Sequence, residues 1–96
     1  MRDEEKQQKI SAALKGVLKE QGISQARLAE EINFILSPYD HYTTQAVQLW
    51  AAGKAVPGFW QMYWVAQSEK APTWLGDWAR SMLAVLRPDI IIPIHP

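Results

Sequence analysis

The feature that most constrains the fold is a pair of short amphipathic segments within residues 22–57, separated by a polar loop. Each segment begins with a hydroxyl residue that can cap a helix, Ser24 in the first and Thr43 in the second. The second ends at Gly53, a residue type that often closes a helix. Two such helices, packed through small and branched residues, form a helix-turn-helix, whose second helix has the shape to enter a DNA major groove.

Composition supports a small globular domain, but the charge is unusual for a DNA-binding chain. The 96 residues are 48% apolar and 21% charged, and ten basic residues balance ten acidic ones. DNA-binding proteins usually carry a basic excess, because phosphate contacts supply much of the affinity. Residues 21–66 contain two cations and three acids, a net charge of −1 over the segment that would face DNA: Arg27 and Lys54 against Glu30, Glu31 and Asp40.

Hydrophobic periodicity predicts an all-α, five-helix bundle. The expected helices run from Asp3 to Glu20, Gln25 to Asn33, Thr44 to Ala52, Gly58 to Ser68 and Thr73 to Leu86. Because Ser37-Pro38 prevents a simple helical continuation, we expect a loop from Phe34 to Tyr42, with the second helix able to extend to Leu36. Residues 1–68 form the helix-turn-helix core, and residues 69–96 a C-terminal helix and an extended tail from Asp89 to Pro96 within the same compact domain.

Two motifs in these helices resemble those of the lambda-repressor-like helix-turn-helix family, the Cro and xenobiotic-response-element type regulators. They are Gly-Ile-Ser-Gln-Ala-x-Leu-Ala from Gly22 and Val-x-x-Trp-x-x-Gly-Lys-x-x-Pro from Val47, and the similarity covers residues 9–66. The resemblance implies a five-helix bundle that is usually a dimer and binds a palindromic operator. This chain departs from the family in its long loop between the second and third helices, and in a third helix without arginine or lysine.

The resemblance also implies which residues contact DNA. The third helix would present three side chains to base edges, namely Thr44, Gln45 and Gln48. Glutamine can bond adenine N6 and N7 as a pair, so a cation-free helix can still read sequence. The residues expected at backbone phosphates are Gln25, Arg27 and Lys54. The alternative is that the three residues of the third helix form the solvated face of an ordinary helix.

The sequence does not indicate an enzyme, a metal or a cofactor. No cysteine is present, which excludes disulfides and thiolate sites and fits a reducing compartment. His41 and His95 are the only histidines, whereas a metal site needs at least three converging ligands. The adjacent carboxylates Glu30 and Glu31 point apart on a helix, which does not suit acid–base catalysis. With no signal peptide or membrane-spanning run, we expect a cytoplasmic protein.

The five tryptophans supply more aromatic surface than one small bundle needs. Trp50 is expected inside, whereas Trp60 and Trp64 fall on a side of the fourth helix that something should cover. Either the fifth helix folds back over them within one chain, or a homodimer forms through the fourth and fifth helices, and both can hold. A helix that is apolar around most of its circumference favours the dimer. Its expected interface comprises Trp60, Trp64, Trp74, Trp78 and Met82, with the C-terminal tail either lying across the partner or completing a small strand pair.

We therefore expect a sequence-specific DNA-binding transcriptional regulator, acting as a repressor. Its third helix would enter the major groove, and two copies would read half-sites one helical turn apart. The alternative is a protein-interaction module that keeps the fold without binding DNA, with its partner on the C-terminal third. A positive strip around Gln25, Thr44 and Lys54 would favour DNA, whereas an acidic or covered third helix would favour the alternative.

Overall fold

The computed structural model describes residues 3–89, and within this range the chain folds into an all-α bundle. The five α-helices are α1 (Asp3–Gln21), α2 (Gln25–Ile35), α3 (Thr44–Ala51), α4 (Phe59–Gln67) and α5 (Thr73–Leu86), and one turn of 3₁₀ helix, Pro38–Asp40, lies between α2 and α3. The predicted five-helix all-α architecture is confirmed. The predicted extended tail after Asp89 lies outside the described residues. No described helix has both the length and the apolar character that a membrane span requires.

The loop between α2 and α3 starts late, because α2 takes the longer of the two predicted courses and continues to Ile35. The amide of Leu36 donates to the carbonyl of Ile32, so the helical hydrogen bonding extends one residue past the last helical position. The helix then stops before Ser37-Pro38, where the proline disfavours a helical conformation for the preceding residue. The 3₁₀ turn that follows starts at Pro38, whose missing N–H is no loss at the first position of a helix.

The core lies where α1 packs against α3 and α5, α2 against α3 and α4, and α4 against α5. Each helix contributes its apolar stripe to this single cluster. The side chains that are most completely buried are Ile10, Leu14, Leu28, Ile32, Val47, Trp50, Met62, Val65, Leu75 and Met82. The faces predicted to point inward on α2 and α3 are the ones buried here.

The tryptophans predicted to form a dimer interface do not share one surface. Trp78 and Met82 are only 4% and 0% exposed, so their assignment to an intermolecular surface is wrong, and both belong to the core of one chain. Trp74 is half-buried against the same core. Trp60 and Trp64 remain 65% and 60% exposed, so α5 does not cover them. Of the two covers expected for these two side chains, cover by the fifth helix is therefore excluded within residues 3–89.

Candidate nucleic-acid interface

The outward face of α3 carries uncharged polar side chains. Gln45 and Gln48 are exposed one turn apart, and Thr44 beside them is half-buried. The opposite face is held by Val47 and Trp50 in the core, which fixes the rotation of α3 about its own axis. The structure therefore brings the three predicted base-reading residues together at the N-terminal end of one helix.

The start of α3 is capped as predicted and attached to α2 by a link that the sequence did not reveal. The Thr43 hydroxyl accepts a hydrogen bond from the amide of Ala46 at 3.1 Å, which satisfies one of the free donors at the helix start. One residue earlier, the Asn33 side chain brackets the backbone of Tyr42. Its Nδ2 donates to the Tyr42 carbonyl at 2.7 Å, and its Oδ1 accepts from the Tyr42 amide at 2.8 Å. The long loop therefore returns to a set point on α2 before α3 begins.

The Tyr42 side chain completes this attachment. Its ring packs edge-on against the buried Trp50 at a centroid distance of 4.7 Å, and its hydroxyl accepts from the amide of Gly58 at 2.9 Å. Burial raises the pKa of the Tyr42 phenol, the hydrogen bond from Gly58 opposes that shift, and the negative charge of Asp40 adds to it. Tyr42 is therefore a neutral phenol at physiological pH that ties the loop before α3 to the segment after it.

The far end of α3 is held against α1. The buried hydroxyl of Ser11 donates to the carbonyl of Ala51 at 2.6 Å. Gly53 has a φ of 71°, and the amide of Lys54 donates back to the carbonyl of Leu49 at 2.9 Å, as expected for a helix closed by a left-handed residue. A Cβ on Gly53 would lie 4.0 Å from the backbone oxygen of Gln7, so the start of α1 lies beside the exposed Lys54.

The predicted phosphate-contacting residues of α2 have mixed surroundings. Ser24 caps the helix, its hydroxyl accepting from the amide of Arg27 at 3.1 Å, and Gln25 follows at the first helical position, half-buried. The Arg27 guanidinium is exposed, but its Nε lies 2.8 Å from the Glu31 carboxylate. An exposed ion pair of this kind contributes little, about 0–1 kcal/mol, so a phosphate can displace the carboxylate at small cost.

The charges of this face match neither the positive strip expected for DNA binding nor the acidic or covered third helix expected for the alternative. Because Arg27 pairs with Glu31, the remaining charges of residues 21–66 are one cation, Lys54, and two anions, Glu30 and Asp40. These described residues therefore form no continuous positive strip. Helix α3 itself carries no charge, however, and its polar side chains are open to solvent. The surface suits hydrogen bonding more than charge neutralisation.

Asn33, Tyr42 and Ser11 are the important residues that sequence analysis overlooked. Asparagine is a weak helix former, so its place in the last turn of α2 indicated a side chain with another task. Ser11 interrupts the apolar stripe of α1 beside Ile10, which indicated a buried hydroxyl in need of a partner. Neither signal shows which backbone group is bound.

Comparison of the chain with models of known protein families, with curated proteins and with solved structures finds no match. Among residues 3–89, no three histidine, cysteine or acidic side chains come together in a way that would hold a metal ion. The geometry of α2, α3 and the loop that joins them is therefore the basis for proposing a function.

Proposed function

We propose that this chain is a sequence-specific DNA-binding transcriptional regulator, acting as a repressor, with α3 as its reading helix. The observation that carries the proposal is the exposed, uncharged, hydrogen-bonding face of Thr44, Gln45 and Gln48 on a helix anchored at both ends. The resemblance of residues 9–66 to lambda-repressor-like regulators supports the same role for these positions.

The chemistry of this face suits base edges in the major groove. A glutamine amide offers one donor and one acceptor at the spacing of adenine N6 and N7, and a threonine hydroxyl can serve as either. Gln25 begins α2 and Lys54 follows the end of α3, and these two would hold two backbone phosphates. Arg27 would make a third contact after releasing Glu31.

Because residues 21–66 carry only two cations, contacts to the bases must supply most of the discrimination between the specific site and other DNA. Each phosphate contact contributes about −0.9 to the slope of log affinity against log salt, so contacts by Lys54 and Arg27 together give a slope of about −2. We expect binding to random duplex at physiological salt to be weak, with a Kd near or above about 10⁻⁴ M.

The test begins by selecting binding sites from a random DNA library with the intact protein. Gln45→Ala and Gln48→Ala should then each cost about 1–3 kcal/mol on the selected site, measured by fluorescence anisotropy, with little change on random DNA. Gln8→Ala, an exposed glutamine on α1, is the matched control. Equal losses on selected and random DNA would show that these glutamines do not read bases.

The pairing of Arg27 offers a second and independent test. Glu31→Gln should free the guanidinium, strengthen binding to all duplexes alike and steepen the salt slope by up to about 1. Glu30→Gln removes the same charge from the neighbouring exposed position without releasing Arg27, so it separates the loss of a negative charge from the release of the cation. If both variants change the salt slope equally, Arg27 is not a phosphate contact.

We further propose that the regulator is a homodimer joined through the exposed aromatic surface around α4. A groove lies between α4 and the end of α2 with the residues that follow it, and its lining includes Trp64, Ile35, Leu36 and Asp40. Phe34 and Tyr39 are next in sequence to residues that line it, and they are 73% and 98% exposed. At about 200 Å² per aromatic side chain, these two and the exposed parts of Trp60 and Trp64 offer roughly 600 Å². A stable interface needs about 800 Å² per partner, so this surface supplies most of it.

Sedimentation of the intact chain at micromolar concentration tests the dimer. Trp64→Ala should shift the equilibrium toward monomer, whereas Trp74→Ala, which alters a tryptophan outside this surface, should not. A monomeric wild-type chain would remove the dimer and leave single-site DNA binding or a different role.

The second candidate function is a protein-interaction module that does not bind DNA. It is favoured by the same exposed surface at Trp60 and Trp64 and by the absence of a positive strip among the described residues of α2 and α3. It predicts that selection from random DNA enriches no sequence, while substitutions at Trp60 and Trp64 abolish the function in the cell and those at Gln45 and Gln48 have no effect.

A further inference from the structure

A second groove lies between α1 and α5, on a part of the molecule that the proposed DNA contact and dimer do not use. Its volume is about 390 Å³, and its apolar lining consists of Trp74 and Trp78 on α5 and Ala13 and Val17 on α1. Trp74 is only half-buried there. Within residues 3–89, the groove therefore leaves apolar surface that no other segment covers.

Gly16 adds open space to this groove. Glycine is less favourable than alanine in the interior of a helix, and it is normally retained for a positive φ or for the approach of another segment. Gly16 does not have a positive φ, and a Cβ built on it would meet no atom of the described residues within 4 Å. The groove therefore has room over Gly16 for a side chain from elsewhere.

The last described residues lie at the other end of the same two helices. The Lys6 ammonium donates to the carbonyl of Leu86 at 3.3 Å, so the start of α1 lies beside the end of α5. A hydrogen bond from Arg87 lowers the pKa of the Asp89 carboxyl most, and the positive charge of Lys6 adds to that shift. The chain is in a turn at Pro88 and Asp89. Residue 90 therefore begins beside α1, where the chain is already changing direction.

The seam between α1 and α5 leads from this point to the groove. Lys6, Ala13, Gly16 and Glu20 follow one another at helical spacing, so they lie along one stripe of α1. At 1.5 Å per residue, Ala13 lies about 10 Å and Glu20 about 21 Å along the helix from Lys6. Residues 90–96 span about 23 Å when extended. This segment is therefore long enough to follow the seam through the whole groove.

The sequence of residues 90–96 suits such a course. Prolines at positions 93 and 96 favour extended backbone at the residues before them. Side chains alternate along an extended segment, so Ile90, Ile92 and Ile94 share one face and His95 lies on the opposite face. The first face is wholly apolar and matches the groove, whereas the second carries a polar side chain that matches solvent.

From these observations we infer that residues 90–94 turn back at Asp89 and dock in the groove between α1 and α5 of the same molecule. Ile92 lies beside Ala13, and Ile94 lies over Gly16 against Trp74. This course within one chain replaces the course across a partner, or in a strand pair, that the sequence led us to expect. The inference is independent of DNA binding and of the dimer, since these residues belong to neither proposed surface.

Paramagnetic broadening in the intact, ¹⁵N-labelled chain tests the docking. The sequence has no cysteine, so a nitroxide can be attached at one position through His95→Cys. Residue 95 lies about 20 Å beyond Asp89 in the docked course, so the nitroxide should broaden the amide signal of Glu20 several-fold more than that of Lys6. A segment that does not dock remains centred on its attachment and broadens Lys6 more than Glu20.

Two variants with matched controls locate the contact. Ile92→Asp should abolish the excess broadening at Glu20, whereas Ile91→Asp, which places the same charge on the opposite face of the segment, should preserve it. Gly16→Leu should fill the groove and also abolish the excess. Lys15→Leu adds the same side chain at an exposed position of α1 that does not line the groove, so it should have no effect.

A mixed sample separates docking within one chain from docking on a second copy. In it, ¹⁵N-labelled chain without a nitroxide is combined with unlabelled chain that carries one, and the Glu20 signal should stay sharp. The inference is overturned if Lys6 is broadened more than Glu20, if Glu20 broadens in the mixed sample, or if Ile91→Asp and Ile92→Asp have equal effects.

Discussion

Replacing Asn33 with alanine tests whether the loop before α3 is held by the bracket on Tyr42. The substitution removes hydrogen bonds of 2.7 and 2.8 Å and leaves a half-buried backbone N–H and C=O to find water. Each such bond contributes about 1 kcal/mol net, for a loss of roughly 2 kcal/mol. The better helix propensity of alanine returns about 0.5 kcal/mol, so the expected destabilisation is about 1.5 kcal/mol.

Urea unfolding monitored by tryptophan fluorescence measures this difference. With an m value of about 1.5 kcal/mol/M, the midpoint should fall by roughly 1 M. Asn33→Asp keeps the acceptor for the Tyr42 amide and loses the donor to its carbonyl, so its midpoint should fall less than that of Asn33→Ala. Glu30→Ala, on the exposed face of the same helix, controls for the change in helix propensity.

A second readout separates anchoring of α3 from general stability. Under conditions where Asn33→Ala remains folded, its affinity for the selected DNA site should fall more than its affinity for random DNA, because only base contacts need the set orientation of α3. A stability loss below about 0.5 kcal/mol would refute the bracket. An unchanged preference for the selected site would refute its role in orienting the reading helix.

Three further predictions concern stability. Gly16→Ala should raise the melting temperature by a gain of about 0.5–1 kcal/mol, whereas Gly53→Ala, at a φ of 71°, should lose about 1–2 kcal/mol. Trp78→Ala should cost about 3–5 kcal/mol in urea unfolding by opening the core, and Trp64→Ala, measured on monomer at low concentration, less than about 0.5 kcal/mol. Burial raises the pKa of the Tyr42 phenol above its value in the unfolded chain. The stability that the neutral phenol contributes is therefore complete below about pH 10 and is lost as the pH rises through the pKa of the folded state. Between about pH 8 and pH 11, the free energy of unfolding should decline more steeply for the wild type than for Tyr42→Phe.

The helices were predictable because their signals are local. Ser24 and Thr43 are capping residues in the sequence and caps in the structure, and Gly53 closes α3 as its position predicts. The end of α2 was less certain, because Ser37-Pro38 forbids helix only from residue 37 onward. From the sequence alone, the residues just before Ser37 could be helix or loop. In the structure α2 continues to Ile35, and Leu36 is its C-cap and is buried in the core.

The anchors of α3 and the fate of the tryptophans could not be predicted, because they depend on tertiary contacts. Ser11 bonds a carbonyl 40 residues away, and no periodicity in α1 specifies that partner. Trp74 and Trp78 lie one turn apart on α5, so a helical pattern places both on one face. Only the position of α1 against α5 determines that Trp78 is enclosed while Trp74 borders a groove.

Under the proposed function, the lack of charge on α3 makes its anchoring more important than it would be in a basic reading helix. A cationic helix gains long-range attraction to phosphates that tolerates small errors in orientation, whereas a glutamine gains only when its amide meets a base edge in hydrogen-bonding geometry. Such contacts are worth most when the helix is already held in place before binding, since ordering it on the DNA would consume the same free energy. Ser11, Asn33 and Tyr42 supply that order at the two ends of α3. A chain with zero net charge can therefore bind one sequence selectively while binding other DNA weakly.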